Sequence, residues 1–154
     1  MADKINNYKE LSNLKLIFFD FDGVFTDNSV YVDQDGIEFV RCNRSDGIGI
    51  SKLKSIGIES IVLSSEVNPI VKVRCKKLGL ECLNALEDKL SELQRIMKEK
   101  NLSKHEICYV GNDVNDLECI QFAEHSFAVK DAYNEVIEYA KWITNNNGGY
   151  GAVR

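Results

Sequence analysis

Residues 17–28, IFFDFDGVFTDN, set two carboxylates, Asp20 and Asp22, directly after an apolar run. A short run of Ile and aromatic residues reads as a strand buried on both faces, as in a parallel sheet covered by helices. Asp20 and Asp22, two residues apart, share an orientation, Phe21 between them turns into the core, and Gly23 permits a tight turn. Paired negative charge at the end of the most buried strand asks for a chemical reason.

The rest of the chain supplies the sheet. Residues 16–19, 58–63, 107–110 and 126–129 are β-prone apolar runs, and residues 46–56, 67–78, 88–100, 114–123 and 132–141 read as helices between them. This alternation predicts an α/β fold, a doubly wound parallel sheet, over a single domain spanning residues 1–154. One segment breaks the pattern. Residues 29–41 hold two β-prone runs around Asp35-Gly36 and read as a β-hairpin projecting from the sheet beside the paired aspartates. The first dozen residues and the Gly-rich tail, residues 145–154, read as loosely held.

Composition narrows the class. With 44% hydrophobic and 28% charged residues, the 154-residue chain is ordinary globular material. Its net charge of −5 argues against a nucleic-acid or anionic-membrane binder. No apolar run approaches the ~20 residues of a membrane span, and the start lacks the apolar core of a signal peptide, so a cytoplasmic location is expected. Five cysteines without a CxxC pair fit reduced thiols. His105 and His125 have no ligand-spaced partner and are assigned no role.

Ligands of open parallel sheets bind beyond the carboxyl ends of the strands. There the chain places Asp20-Phe21-Asp22-Gly23, Ser64-Ser65-Glu66 and Gly111-Asn112-Asp113, with Lys89 on a further connection. Two carboxylates with oxygen ligands from a third loop suit Mg²⁺, while a lysine and a serine hydroxyl suit a phosphate group.

The ordered set DFDGVFTD, VLSSE, EDK and GNDVND resembles the haloacid dehalogenase superfamily of aspartyl phosphohydrolases, over roughly Leu16 to Arg154. The stretches DGVFTDN, SDGIGI and GGYGAVR, with the hairpin, resemble its small branch without a cap domain. That branch includes the phosphatases of 3-deoxy-manno-octulosonate 8-phosphate and of the 9-phosphates of sialic-acid-type sugars. The resemblance implies Asp20 as nucleophile, Asp22 as general acid and base, and Ser64 and Lys89 as phosphoryl-binding groups. It implies Mg²⁺ held by Asp20, the Asp22 carbonyl and the GNDVND loop. There Asn112 stands where relatives carry an aspartate, and Asp113 follows it, so either is a candidate ligand. It also implies a homotetramer built through the hairpin, with active sites near subunit interfaces.

Glu66 stands where the octulosonate branch resembles TGR, and with Lys77 on the following helix it matches the sialic-acid-type branch. Arg44, Ser45 and Asp46 are expected near the mouth of the site, and the glycines of the tail are expected to form a backbone cradle reaching a neighbouring subunit's site. The reading is therefore a Mg²⁺-dependent phosphatase of a nine-carbon sugar acid 9-phosphate. Its alternatives are an octulosonate 8-phosphate phosphatase, and a non-catalytic oligomerisation module like the domains fused to sugar cytidylyltransferases.

Overall fold

The apolar runs become strands because their side chains are covered on both faces. A computed structural model describes residues 8–154; residues 1–7, part of the start expected to be loosely held, lie outside the described residues. In chain order the elements are β1 (Leu16–Phe19), β2 (Thr26–Val32), β3 (Glu38–Cys42), α1 (Asp46–Ser55), β4 (Glu59–Leu63), α2 (Ile70–Leu78) and β5 (Glu81–Leu83). There follow α3 (Lys89–Lys100), β6 (Ile107–Gly111), α4 (Leu117–Phe122), β7 (His125–Ala128), α5 (Asn134–Tyr139) and β8 (Trp142–Ile143).

Six strands form a parallel sheet in the order β5-β4-β1-β6-β7-β8. The expected doubly wound sheet is thus present. The chain winds outward from β1 to β5, then jumps back through α3 to β6 and winds the other way. Right-handed crossovers put α1 and α2 on one face and α3, α4 and α5 on the other. The reversal of winding opens a crevice beyond the carboxyl ends of β1 and β6, where Asp20 and Asn112 stand. Among the described residues no helix is long and apolar enough to cross a membrane.

Two edge strands, β5 and β8, escape the periodicity because they are only 3 and 2 residues long. The helix expected over 114–123 splits into a 3-10 turn, Val114–Asp116, and the short α4. The hairpin is β2 and β3, and it starts at Thr26, earlier than expected. Its turn is closed by the Asp33 side chain, which accepts from the backbone of Asp35 (3.0 Å) and Ile37 (2.8 Å). Gly36 takes the left-handed conformation there, at φ 78°. No helical insert stands between β1 and α1, so the hairpin alone occupies that position.

The tail is held rather than loose, and it packs on its own chain. Gly148 donates its N–H to Asp131 (2.8 Å), Gly149 donates to the Val24 carbonyl (3.0 Å), and Arg41 donates to the Gly149 carbonyl (3.1 Å). A Cβ on Gly148 would lie 1.7 Å from the Gly23 carbonyl oxygen, so glycine lets the tail press against the turn that follows β1. Further on, the backbone of Val153 crosses α1 so closely that a Cβ on Gly49 would meet its carbonyl at 2.1 Å. This accounts for Gly49 inside a helix, where glycine costs about 1 kcal/mol in propensity.

That strap buries Asp46, in the first turn of α1, completely. Neither carboxylate oxygen makes a hydrogen bond, although the Arg154 and Val153 amides and the Arg74 guanidinium lie near enough to favour the charged form. Burial outweighs them and raises the pKa from 3.8 to about 6. The folded state therefore holds a proton that the unfolded chain has released, and stability falls as pH rises through that window. Asp46→Asn removes the buried charge. Its stability relative to wild type is expected to rise between pH 4 and pH 7, by on the order of 1 to 3 kcal/mol, in urea melts across that range; a difference independent of pH would refute this account of Asp46.

Candidate active site

Asp20 follows β1 and is almost fully buried, its N–H bonded to the Val110 carbonyl on β6 (2.9 Å). Its Oδ1 accepts the Phe21 N–H at 2.7 Å and meets the Lys89 ammonium at 2.8 Å. The connection from β5 does return to this edge: α3 begins there, capped by the Asp88 side chain on the Ser91 N–H (2.9 Å), which sets Lys89 inward.

Lys89 is shared. Its ammonium also donates to Asp116 Oδ1 at 2.8 Å. Asp116 has no exposed surface and collects the Tyr109 hydroxyl (2.7 Å) and the Asn112 N–H (2.9 Å) as well. Burial, then the Asp116 charge, push the Asp20 pKa up, and Lys89 opposes both by charge and hydrogen bond. Burial alone would lower the Lys89 pKa, but the two carboxylates reverse that and keep it cationic. Asp116 was not singled out from the sequence, although it lies in GNDVND four residues after Asn112; nothing in a spacing announces that an acidic residue will be fully buried.

Asp22 is half-buried above the crevice. The Thr26 hydroxyl donates to its Oδ1 at 3.4 Å and accepts the Gly23 N–H at 3.0 Å, so one hydroxyl shapes the turn and steadies the carboxylate. Burial and then Glu66 raise the Asp22 pKa, Glu38 adding to them, while Thr26 and Lys89 pull it down. Phe21 is buried against Phe25, as expected of the residue between the two aspartates.

The Asn112 amide ends 2.8 Å from the Asp22 carbonyl oxygen and 3.3 Å from Asp20 Oδ2. Turned with nitrogen inward, it donates to both. Turned with oxygen inward, it completes a trio of oxygen atoms, a donor set that fits a hard cation such as Mg²⁺. No group of three His, Cys, Asp or Glu side chains converges for a metal among the described residues; the trio instead combines one carboxylate, one backbone carbonyl and one amide. Asp113 stands aside. Its side chain caps the 3-10 turn, accepting the Val114 N–H at 2.7 Å. Gly23 is needed here, since a Cβ would lie 2.0 Å from the Asn112 amide.

Ser64, after β4, is buried and its hydroxyl accepts the Glu66 N–H at 3.1 Å, which orders the loop beside the crevice. Glu66 lines a cavity of about 450 Å³ that adjoins Asp22. Several expected residues do not come to this place. Lys77 sits exposed in the last turn of α2, roughly 10 Å along the helix from its start at the sheet edge. Arg44 is exposed, Ser45 donates its hydroxyl to Asn43 (2.7 Å), and Asp46 lies under the tail; none of the three lines the cavity. A larger apolar groove, about 660 Å³, lies between α1, the tail and the sheet, and it holds none of the site carboxylates.

A buried carboxylate held by an ammonium, a second carboxylate half-buried above it, and an oxygen-lined corner between them suit displacement at a phosphorus or carbonyl centre. Known proteins share the arrangement's frame. Residues 3–153 match the family model of the haloacid dehalogenase-like hydrolases. The chain is 36% identical over 145 residues to N-acylneuraminate cytidylyltransferase A of Danio rerio, covering 92% of this chain and 33% of that protein. It is 31% identical over 143 residues to the 3-deoxy-D-manno-octulosonate 8-phosphate phosphatase of Salmonella typhi, covering 92% and 76% of the two chains. The Moraxella catarrhalis 3-deoxy-D-manno-octulosonate 8-phosphate phosphatase, solved with magnesium, phosphate and KDO, superimposes with a TM-score of 0.90 at 27% identity, over 95% of this chain and 84% of that one. A family model spanning nearly every residue, a relative 31% identical over 92% of this chain and 76% of its own length, and the same fold in a solved phosphatase lead to one assignment: the chain belongs to the haloacid dehalogenase-like hydrolases.

Proposed function

We propose that this protein is a Mg²⁺-dependent phosphomonoester hydrolase, a single phosphatase domain acting through an aspartyl-phosphate on a phosphorylated sugar acid. The observation that carries the reading is the Asp20 carboxylate, with one oxygen on Lys89 at 2.8 Å and the other 3.3 Å from the Asn112 amide. Asp20, the Asp22 carbonyl and Asn112 would hold Mg²⁺, which when bound offsets the negative charge of the phosphoryl group.

The chain's own groups then divide the work. Lys89 opposes the rise in the Asp20 pKa that burial imposes and supplies positive charge to the phosphate, while the Ser64 hydroxyl donates to a phosphoryl oxygen. An Asp20 oxygen bonds to phosphorus as the bond to the sugar oxygen breaks, and Asp22 gives its proton to that oxygen. Asp22 then takes a proton from water, whose oxygen attacks the aspartyl-phosphate; inorganic phosphate leaves and the Asp20 carboxylate is restored. Burial raises the pKa of both carboxylates, which lets Asp22 carry the proton it donates, while the Lys89 ammonium beside Asp20 favours the charged form of the nucleophile.

Two substrates fit. Glu66 beside Asp22, together with the likeness to the Danio rerio protein, supports a nine-carbon sugar acid 9-phosphate of the sialic-acid type. The longer coverage of the octulosonate phosphatases and the Moraxella catarrhalis complex support octulosonate 8-phosphate at least as well. The hairpin supports a homotetramer, because Tyr31 and Phe39, paired across its two strands, stand 60 and 55% exposed, a patch that asks for cover.

Phosphate release from both sugar phosphates, with Mg²⁺ or with EDTA, tests the reading. Wild type is expected to need Mg²⁺, and Asp20→Asn to lose about a thousandfold or more in kcat. Absence of release from either substrate would favour the non-catalytic module. Asn112→Asp adds a charged ligand and is expected to lower the Mg²⁺ concentration for half-maximal activity, and for thermal stabilisation, by about tenfold. Phe39→Glu is expected to shift sedimentation from tetramer to smaller species, and an unchanged tetramer would exclude the hairpin as its seam.

A further inference from the structure

The cavity of about 450 Å³ beside Asp22 runs along one side of the hairpin as far as Glu38, next to its turn, and its lining contains no lysine, arginine or histidine. Its polar wall is Asp22, Asn28, Glu38, Ser65, Glu66 and Asn68. Glu38, the first residue of β3, is joined to the loop after β4 by Asn68, whose Nδ2 donates to Glu38 Oε2 at 3.0 Å. Asn68 is fixed in turn: its N–H donates to Glu66 Oε1 at 2.7 Å and its Oδ1 accepts the Ile70 N–H at 3.1 Å. One asparagine therefore sets the direction of two carboxylates from distant parts of the chain, and each keeps a second oxygen as an acceptor.

Carboxylates facing a cavity with no cation in its lining choose their occupant. Hydroxyls can donate to them, whereas a second anion placed between two carboxylates meets like charge in a partly desolvated space. Val30, Val40, Val67 and Ile70 complete the lining with apolar surface suited to the C–H edges of a carbon chain. We propose that Glu38, carried by the hairpin and aligned with Glu66 through Asn68, is a specificity-determining residue. It selects an uncharged, polyhydroxylated carbon chain next to the phosphate and rejects substrates with a second anionic group there. The inference rests on the phosphatase reading. It goes beyond it by placing the selection in the leaving-group segment adjoining the phosphate and assigning it to a hairpin residue. A sugar acid phosphorylated at the end remote from its carboxylate meets the condition, because its acidic group lies many bonds from the cavity.

The experiment uses the full chain with Mg²⁺ and three probes. These are p-nitrophenyl phosphate, glycerol 1-phosphate, with hydroxyls beside the phosphoester, and 2-phosphoglycolate, with a carboxylate there. Wild type is expected to prefer glycerol 1-phosphate in kcat/KM, and Glu38→Gln to shrink that preference by about tenfold. Glu38→Asp, which retains the charge, is expected to keep a preference in the wild-type direction. Hydrolysis by wild type with the same preference in Glu38→Gln would overturn the role of Glu38 alone. A wild type that prefers 2-phosphoglycolate, or releases phosphate from the two sugar acid phosphates but not from glycerol 1-phosphate, would overturn the inference; only failure on the sugar acid phosphates as well would overturn the phosphatase reading.

Discussion

The Lys89 ammonium, 2.8 Å from both Asp20 and Asp116, is the contact on which the rest of the structure turns. Burying two carboxylates costs several kcal/mol each unless charge and hydrogen bonds compensate. One cation does not neutralise two anions. The remainder is spread over the Tyr109 hydroxyl and the Phe21 and Asn112 N–H groups, which hold the excess charge by directed dipoles. Each donor comes from a different part of the sheet edge, so the network also sets the relative positions of β1, β6 and the start of α3. Removing the ammonium would leave two buried like charges facing each other; the crossover from β5 therefore has to return to this edge, whatever sequence it uses on the way.

A second constraint works from outside. The turn after β1 exposes backbone that the sheet itself cannot satisfy, and the tail supplies the missing contact through the Gly149 N–H on the Val24 carbonyl. Side chains on Gly148 or Gly149 would push the tail away from Gly23 and Asp27, so the absence of side chains there is what allows the support. Arg41 links the same tail to the hairpin, stacking over the Tyr150 ring at 4.2 Å and bonding to the Gly149 carbonyl. Hairpin, turn and tail thus brace one another around Asp22.

Much of this was legible in the residues. The three central strands could be read because both of their faces are covered and their sequences are apolar throughout, and Asp20, Asp22, Ser64, Lys89 and Asn112 could be placed because each follows such a strand or its crossover. What failed had physical reasons. β5 and β8 are too short to show a period. Asp46 reads as a helix-start carboxylate open to ligand until the tail, more than a hundred residues later, covers it. Lys77 satisfies a spacing from Glu66, but the helix carries it along its axis away from the cavity. Asp113 and Asn112 are adjacent and both carry oxygen; only the backbone of the turn decides that Asp113 caps and Asn112 faces the carboxylates.

The neutral side chain of Asn112 follows from the same balance of charge. Asp20 and Asp116 already set two buried carboxyl groups against the single ammonium of Lys89, and Asp22, Glu66 and Glu38 add acidic groups toward the mouth. A further carboxylate at position 112 would strengthen the hold on a divalent cation while raising the repulsion that an incoming phosphate dianion must meet. An amide keeps an oxygen for the cation without that added charge, at a cost in metal affinity. It also has a resting state a carboxylate lacks: turned with nitrogen inward, it bonds to Asp22 and Asp20, so the corner is internally satisfied before any cation binds. As the metal ligand proposed above, Asn112 would trade strength of metal binding for a site that stays ordered on its own hydrogen bonds.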